Sequence, residues 1–591
     1  MKKYLLVVLA ALGFAACTED NGGTNFPQNG ELEESYIAIN LMSTDLDTRA
    51  NTPDNVYEDG TAAERKITTA YFFFFDENGN PFSVNTHTNG GATAPGSVGG
   101  KNHLPLTIED SIENVNPNIS DIKKAVLVLN TYKGVYPSKI VAVLNWTPAD
   151  QPYSLEALRG VLGNSLGDVS NGFVMSNSVY MDRTGKIVDA VPITSANIKT
   201  TADDAKNAPI DIYVERTAAK VIVSAGTNDD GSIQTLDDGS ILFDTKKTPS
   251  LLHPSQTLSS VKVYVNIKGW ELYNDYTTTN LLKNIVNWDE DELGLVWNNI
   301  PYHRSYWATS PNVDPDDSFY WSYNDYSNKG FKTNYGFNVA SEDGYTDATT
   351  YTYCAENTNS LSNTEDYRTK VILKGQLMQE DGNGGYKALE LARWYGNEYA
   401  GNEALRTAVA KSLAYTLFYK YVEPGVERYI SVDPDDIECV KGSLTRDEAY
   451  EVGFQLSAQG KAKDWFLYNS ESGYTPLDDT ADAAAMVAAT NAYLADNVEP
   501  ALLYASGMTY YIVDIKHLGA SGGSAEYGVV RNHVYQIAIN SIKGYGSPIY
   551  SGLDFIVDNP QYPEEDEASY VAARINVLSW KVVTQGVDIV K

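Results

Sequence analysis

The sequence predicts a mainly β protein built from β-sandwich layers, and three observations carry that expectation. Short runs rich in Val, Ile, Phe and Tyr recur along the chain, separated by stretches bearing Gly, Asn, Asp and Pro, as strands and their turns are. Tyrosine is abundant, 42 residues against 16 Phe, and it favours strands while giving them an amphipathic face. Helix-forming composition is confined to two stretches, 386–415 and 481–494. The 591 residues suit two to four domains at about 150 residues each. A hydrophobic content of 43% is enough for a large core.

The first strand spans 36–42, where Ile37, Ile39 and Leu41 alternate with Ala38 and Asn40. Residues 43–55 are polar, contain Pro53 and lack any period, so they read as an exposed loop open to proteolysis. Arg49 is the only basic residue between Lys3 and Arg65. Strand 67–75 is closed by the turn 76–81, which superficially resembles the start of a calcium loop. It lacks the later bidentate Glu, so it reads as a plain turn. Buried strands follow at 124–129 and 139–146. After Pro209, residues 210–223 form one long strand, or two joined at a bend, and a domain boundary is set at its start. Further strands are expected at 260–267, 370–377, 509–515 and 534–542.

The stretch 386–415 reads as a helical insert from Leu389, Leu391, Trp394, Leu405, Val409 and Leu413. The Ala-rich stretch 481–494 reads as a second, with Asp479 and Thr480 as capping candidates. Both read as elaborations packed at a sandwich edge. The acidic segment 560–567 then interrupts the pattern, and β-prone sequence resumes at 569–582 and 585–590. Two strand segments therefore follow a solvated spacer.

The chain opens with Lys2, Lys3 and an apolar run to Phe14, too short to span a bilayer permanently. Ala15-Ala16-Cys17 closes that run with small residues and then a thiol. A lipoprotein signal uses such a cysteine, which is acylated and left as the first residue. An ordinary secretory signal with an incidental cysteine is the alternative. Two or more acyl chains on Cys17 would make a stable outer-membrane anchor. The acidic residues Glu19 and Asp20 resemble the surface-export signal of Bacteroidetes lipoproteins.

The formal net charge of −33 excludes nucleic acid as a partner, because its phosphates would be repelled. It suits a well-solvated exterior. Beyond Cys17 only Cys354 and Cys439 remain, and both a disulfide and two separate buried thiols are open. No nucleophile elbow, phosphate loop, dinucleotide fingerprint or zinc-protease motif occurs. The six histidines lack metal-ligand spacing, and the pairs Asp316-Asp317 and Asp435-Asp436 each follow a Pro and read as turns. Neither an enzyme nor a cofactor or metal is expected.

Several segments resemble the Bacteroidales fimbrillins, the type V pilins. Residues 214–221, Val-Glu-Arg-Thr-Ala-Ala-Lys-Val, resemble the strand that opens their C-terminal domain. Residues 302–308, 530–535 and 539–546 are similar to segments of the Mfa-type branch. The ending 575–582 with 587–589 is similar to the terminus of Mfa-type shaft subunits. The matches run in order along the chain, from the signal segment to the last residues.

The resemblance implies two transthyretin-like β-sandwich domains, the second with helical insertions. It also implies a non-enzymatic shaft subunit of a cell-surface fimbrium, serving adhesion and biofilm formation. The parts would be a signal peptide (1–16), a lipidated propeptide with a removable first strand (17–49), an N-terminal domain (50–209), a C-terminal domain (210–559) and a linker with donor strands (560–591). A protease would cut between Arg49 and Ala50 and release the strand bearing Tyr36, Ile37, Ile39 and Leu41. The vacated groove would accept the C-terminal segment of a neighbouring copy, through Ile575, Val577, Leu578, Trp580, Val582, Val587 and Ile589. Partners would be further copies, companion subunits, the protease, the outer membrane before cleavage, and host or bacterial surface receptors.

The physics is consistent with this scheme, since a withdrawn strand leaves unpaired backbone groups and an apolar trough that template another strand. In the donor, Ile575 and Val577 would face one side and Leu578, Trp580 and Val582 the other, with a bulge near Leu578. The competing readings are an ordinary final hairpin at 571–590, a tip or anchor subunit, and a monomeric surface lipoprotein that binds glycans.

Overall fold

The computed structural model describes residues 32–42, 61, 63–64, 66–84, 101–107, 125–164, 172–181, 187–226, 233–273, 278–284, 309–311, 351–358, 368–441, 451–480, 482–517, 526–549 and 570–579. Its elements are mostly strands, in line with the β class expected.

Strand β1 (Leu32–Met42) starts four residues before the apolar alternation does, because its first residues already pair with β2 (Ala125–Tyr132). Strand β3 (Ile210–Arg216) flanks the other side of β1. The sheet runs His103–Thr107, Thr69–Phe75, Lys139–Leu144, Met175–Asn177, β3, β1, β2. Its central strands are buried on both faces, which is why residues 72–75 read as four consecutive Phe. Phe72 and Phe74 join the core with Ile37, Ile39 and Leu41, whereas Phe73 and Phe75 pack with Leu155, Leu158 and Leu281 behind the sheet. The turn after Phe75 is held by Asp76, whose Oδ1 accepts the backbone N–H groups of Asn78 and Asn80 at 2.8 Å each, and Gly79 adopts φ +85° there.

The stretch 210–223 is two strands joined at a bend. Strand β4 (Ala218–Ala225) follows β3 after Thr217 alone, and the chain changes sheet at that residue. Thr217 N–H donates to Val174 O at 3.0 Å, while Ala218 O accepts Asn532 N–H at 2.7 Å, so the bend is bonded on both sides. Sequence alternation located the long β segment, but β3 belongs to the first sheet and only β4 to the next.

The second sheet is ordered Tyr351–Ala355, β4, β5 (His533–Lys543), β6 (Tyr570–Ser579). It shares one core with a sheet containing Ile241–Lys247, Val263–Tyr273, Lys370–Glu380 and Met508–Asp514. Val221, Val223, Ile537 and Ile539 pack there with Val265 and Leu373. Cys354 lies in this core and Cys439 in another, and the two form no disulfide with each other. Burial pushes the Cys439 thiol up to about 12.

The stretch 386–415 corrects the helical expectation in part. Three short strands, Tyr386–Ala388, Leu391–Trp394 and Asn397–Tyr399, precede a helix confined to Gly401–Leu413. The break has a local cause. Tyr395 and Gly396 both take positive φ, +45° and +68°, which makes a two-residue hairpin turn between Trp394 and Asn397. The second helix is Ala483–Asn497, and its cap is Asp482, whose side chain accepts from Ala484 N–H, rather than Asp479 or Thr480. Asp435 and Asp436 sit in a 3-10 turn with a capping box from Asp433, as the preceding Pro434 suggests. Asp316 and Asp317 lie outside the described residues.

Buried ion pairs join distant parts of the chain. Arg531 is fully buried, reaching Glu356 Oε1 at 3.1 Å and the carbonyls of Asn280 and Leu281 at 2.7 and 3.3 Å. Beside it Lys283 meets Glu215 at 3.3 Å. Burial pushes Glu215 upward against the opposing pull of Lys283 and Arg531. Arg531→Ala should therefore lower unfolding stability by about 3–5 kcal/mol, because Glu356 would be left charged and unpaired in the interior. The denaturant midpoint measures this, and a change under 1 kcal/mol (roughly the worth of a surface pair) would contradict it.

Candidate strand-exchange site

Strand β1 lies inside its sheet, not at the edge. It pairs antiparallel with β2 from Leu32↔Tyr132 to Ile39↔Ala125, and parallel with β3 from Ile39↔Ile210 to Met42↔Tyr213. Where β3 has not yet begun, Tyr36 exchanges backbone hydrogen bonds with Lys199 at 2.8 and 3.0 Å. The β2 ladder thus covers residues 32–39 of β1 and the β3 ladder residues 39–42, with Lys199 bonded at Tyr36. Ile37, Ile39 and Leu41 are buried on one face among Leu127, Leu129, Ile210 and Ile212. Tyr36, on the opposite face, is partly exposed and its hydroxyl donates to Glu34.

The fit of β1 is incomplete at two polar atoms. Ser35 Oγ and Asn40 Oδ1 are buried without hydrogen-bond partners, although Asn40 Nδ2 donates to Asp211 at 2.8 Å. An unsatisfied buried polar atom costs about 1–3 kcal/mol. Apolar side chains hold β1 in its groove while these two atoms weaken its hold. Ser35→Ala is accordingly expected to stabilise the chain by up to about 1 kcal/mol, seen as a raised thermal midpoint. A lowered midpoint would show that Ser35 contributes a bond.

Downstream of the loop that follows β1, Glu64 anchors the chain to the second sheet. Its carboxylate lies 3.1 Å from Lys220 Nζ on β4 and accepts the Tyr353 hydroxyl at 2.6 Å. Arg216 Nε donates to Glu64 O at 3.0 Å. Burial alone would raise the Glu64 pKa. The Lys220 charge and the bonds from Tyr353 and Thr61 outweigh it and hold the group below its ordinary value. A carboxylate with a depressed folded pKa contributes stability above its unfolded pKa, about 4.3, and loses it as pH falls through the lower folded value. Acid unfolding should thus include a component below about pH 4 that Glu64→Gln removes. An unchanged acid slope in that variant would exclude the anchor from the transition.

At the other end of the chain, β6 pairs antiparallel with β5 from Tyr570↔Lys543 to Ser579↔His533, and it forms the edge of its sheet. Ile575, Val577 and Leu578 stand opposite Ile537, Tyr535 and Val534. Within this chain the pairing runs in register from Ala573 to Ser579. The irregularity lies in β5, between Ile539 and Ser541. Its cause is a close approach by Gly226, whose N–H donates to Ile539 O at 2.7 Å and where a Cβ would come within 2.0 Å of Asn540 Oδ1. Cys17, Arg49, Ala50, Trp580, Val582, Val587, Ile589, the acidic segment 560–567 and the segment 302–308 all lie outside the described residues.

Sequence reasoning located β1 but missed Glu64, Lys220 and Tyr353, which are 133 or more residues apart and carry no local motif. Among the described residues, no group of three or more His, Cys, Asp or Glu could hold a metal ion.

Residues 502–586, which contain β5 and β6, match the family described as major fimbrial subunit protein type IV, fimbrillin, C-terminal. The chain carries a fimbrillin C-terminal segment. This agrees with the fimbrillin resemblance of 530–546 and 575–582.

Solved structures similar to this chain include a cell adhesion protein from Parabacteroides distasonis, at 11% identity and TM-score 0.37, covering 93% of this chain and 98% of that one. A fimbrilin from Porphyromonas gingivalis aligns at 12% identity and TM-score 0.36, with 93% and 98% covered. The tip fimbrial protein Mfa3 of the same species aligns at 10% and 0.26, with 93% and 100% covered. No curated protein matches the chain.

Proposed function

We propose that this protein is a fimbrillin, a shaft subunit of a cell-surface fimbrium, exported as a lipoprotein through Cys17 and polymerised by protease-triggered strand exchange. Its body would comprise two transthyretin-like domains, 50–209 and 210–559. Cleavage between Arg49 and Ala50 would free β1, and the C-terminal segment 571–590 of an adjoining copy would take its place. The observation that carries this reading is the position of β1. It is an interior strand with three buried aliphatic side chains, and the polar stretch that bears Arg49 follows it in the sequence. Losing such a strand parts the terminal strand β2 from the rest of its sheet, and leaves backbone groups of both β2 and β3 unpaired.

N-terminal sequencing of protein sheared from cells tests the proposal. The expected sequence begins at Ala50. Arg49→Ala should leave a lipid-bound monomer without fibres. Normal fibres from that variant, or sheared protein beginning at acylated Cys17, would refute the trigger. The N-terminus also separates a shaft subunit from an anchor, which keeps its lipid.

A further inference from the structure

The sequence of β1 recurs near the far end of the chain. Residues 35–41 read Ser-Tyr-Ile-Ala-Ile-Asn-Leu, and residues 569–575 read Ser-Tyr-Val-Ala-Ala-Arg-Ile. Ser, Tyr and Ala return at the same offsets, with apolar residues at the third, fifth and seventh places and a polar one at the sixth. The first copy belongs to β1 and the second leads into β6. The groove around β1 gives each place a physical requirement. Ile37, Ile39 and Leu41 fill the core face. Ala38, on the other face, is only 2% exposed, so its place takes a small side chain and rejects a large or charged one. Asn40 is half-buried and its Nδ2 donates to the exposed Asp211 at 2.8 Å, so its place takes a polar side chain, and a cation suits it. The groove therefore asks for apolar, small, apolar, polar, apolar. Counting Gly, Ala and Ser as small, only 571–575 and 578–582 meet that order within residues 569–591, and no stretch there meets it in reverse.

We infer that residues 569–575 of a second copy take the places of residues 35–41, running in the direction of β1, antiparallel to β2 and parallel to β3, with Arg574 beside Asp211. This rests on the strand-exchange reading and adds to it the register and direction of the donor. The other stretch fits less well. It would put Trp580 in the place of Ile39, a fully buried side chain, where an indole overpacks the core. It would also set Asn576 at the buried place of Ser35. In the inferred register Ser569 and Tyr570 replace Ser35 and Tyr36 in kind. Ala573 leaves some volume unfilled at the place of Ile39 but brings no clash. Asn576 then falls opposite Tyr213, where β1 stops, and the donor continues along β3 with Val577 at Val214, pairing that β1 lacks. The contact between Arg574 and Asp211 is exposed, so it selects direction and partner more than it adds strength.

Cysteine pairs in the full chain read the register. Val128 on β2 stands opposite Tyr36 and is 43% exposed, so the donor residue that replaces Tyr36 comes within disulfide reach of it. Oxidised fibres of Val128→Cys/Tyr570→Cys are expected to run on a denaturing gel as a ladder of subunit multiples that a reductant collapses to one band. Fibres of Val128→Cys/Val577→Cys, which samples the 578–582 alternative, should give one band throughout. Neither pair should link in the precursor, where Tyr36 itself faces Val128 and β6 lies on β5. A ladder from the Val577 pair alone, or from neither pair in intact fibres, overturns the register and leaves strand exchange standing. A cross-link confined to monomers overturns the second copy as partner, since the tail would then fill the groove of its own chain. If the double variant assembles no fibres, two copies expressed together, one with Val128→Cys and the other with Tyr570→Cys, carry the same test in a single linked pair, and the absence of that pair also overturns the register. Strand exchange itself fails by a separate readout, sheared wild-type protein that begins at Cys17.

Discussion

Ile39→Asp is expected to prevent the precursor from folding stably. Ile39 stands where the pairing of β1 passes from β2 to β3, opposite both Ala125 and Ile210, and its side chain is fully buried. The substitution loses about 1.5–3 kcal/mol of apolar burial and places a carboxylate among Leu127, Leu129, Ile210 and Ile212. The cost of that buried charge is several kcal/mol more, so the sum exceeds about 5 kcal/mol, the lower end of typical domain stability. Urea unfolding of the precursor and its resistance to protease measure the loss. The strand-exchange proposal adds a second expectation. A chain beginning at Ala50 that lacks β1 should regain stability when given a peptide of residues 571–590, and should do so more weakly with residues 32–42, whose Ser35 and Asn40 leave buried oxygens unpaired. A precursor that tolerates Asp at position 39 would mean β1 is not needed to complete the sheet. A truncated chain indifferent to both peptides would mean that its gap closes without a donor.

The contrast between elements shows what the sequence makes legible. Alternation marked β1, because one face of it carries the buried Ile37, Ile39 and Leu41 and the other the half-buried Tyr36 and Asn40. The four consecutive Phe residues marked a strand covered on both sides, and Asp76 with Gly79 marked its turn. These are local properties with a short period. The region 386–399 was misread because Leu389, Leu391 and Trp394 fit a helical spacing as well as a strand, and the deciding feature was a pair of left-handed residues, Tyr395 and Gly396. The change of sheet at Thr217 was invisible for another reason. Val214 and Val221 are equally buried, but the packing of two separate sheets decides which one each joins. The anchor of Glu64 on Lys220 and Tyr353 required the folded chain, since long-range ion pairs have no sequence period.

The position of β6 leads to the second large effect. Residues 570–579 are paired along their full length with β5 of the same chain, so a donor that includes Ile575, Val577 and Leu578 must first leave β5. Release is feasible because β6 is the edge strand of its sheet, paired on one side among the described residues. A covalent tie between the strands separates two donor lengths. Gln536 stands opposite Asn576 in the register, so a disulfide between Gln536→Cys and Asn576→Cys would hold β6 in place without touching the aliphatic positions. If the donor is 571–590, the oxidised double variant should yield processed monomers and no fibres, and reduction should restore elongation by at least tenfold. Deleting 571–591 should abolish fibres under either condition while leaving export intact. Fibres from the oxidised variant would confine donation to the residues after Ser579, and fibres from the deletion would remove the C-terminal segment from assembly altogether. The tie acts only on β6, whereas Ile39→Asp acts only on β1, so each half of the exchange can fail without the other.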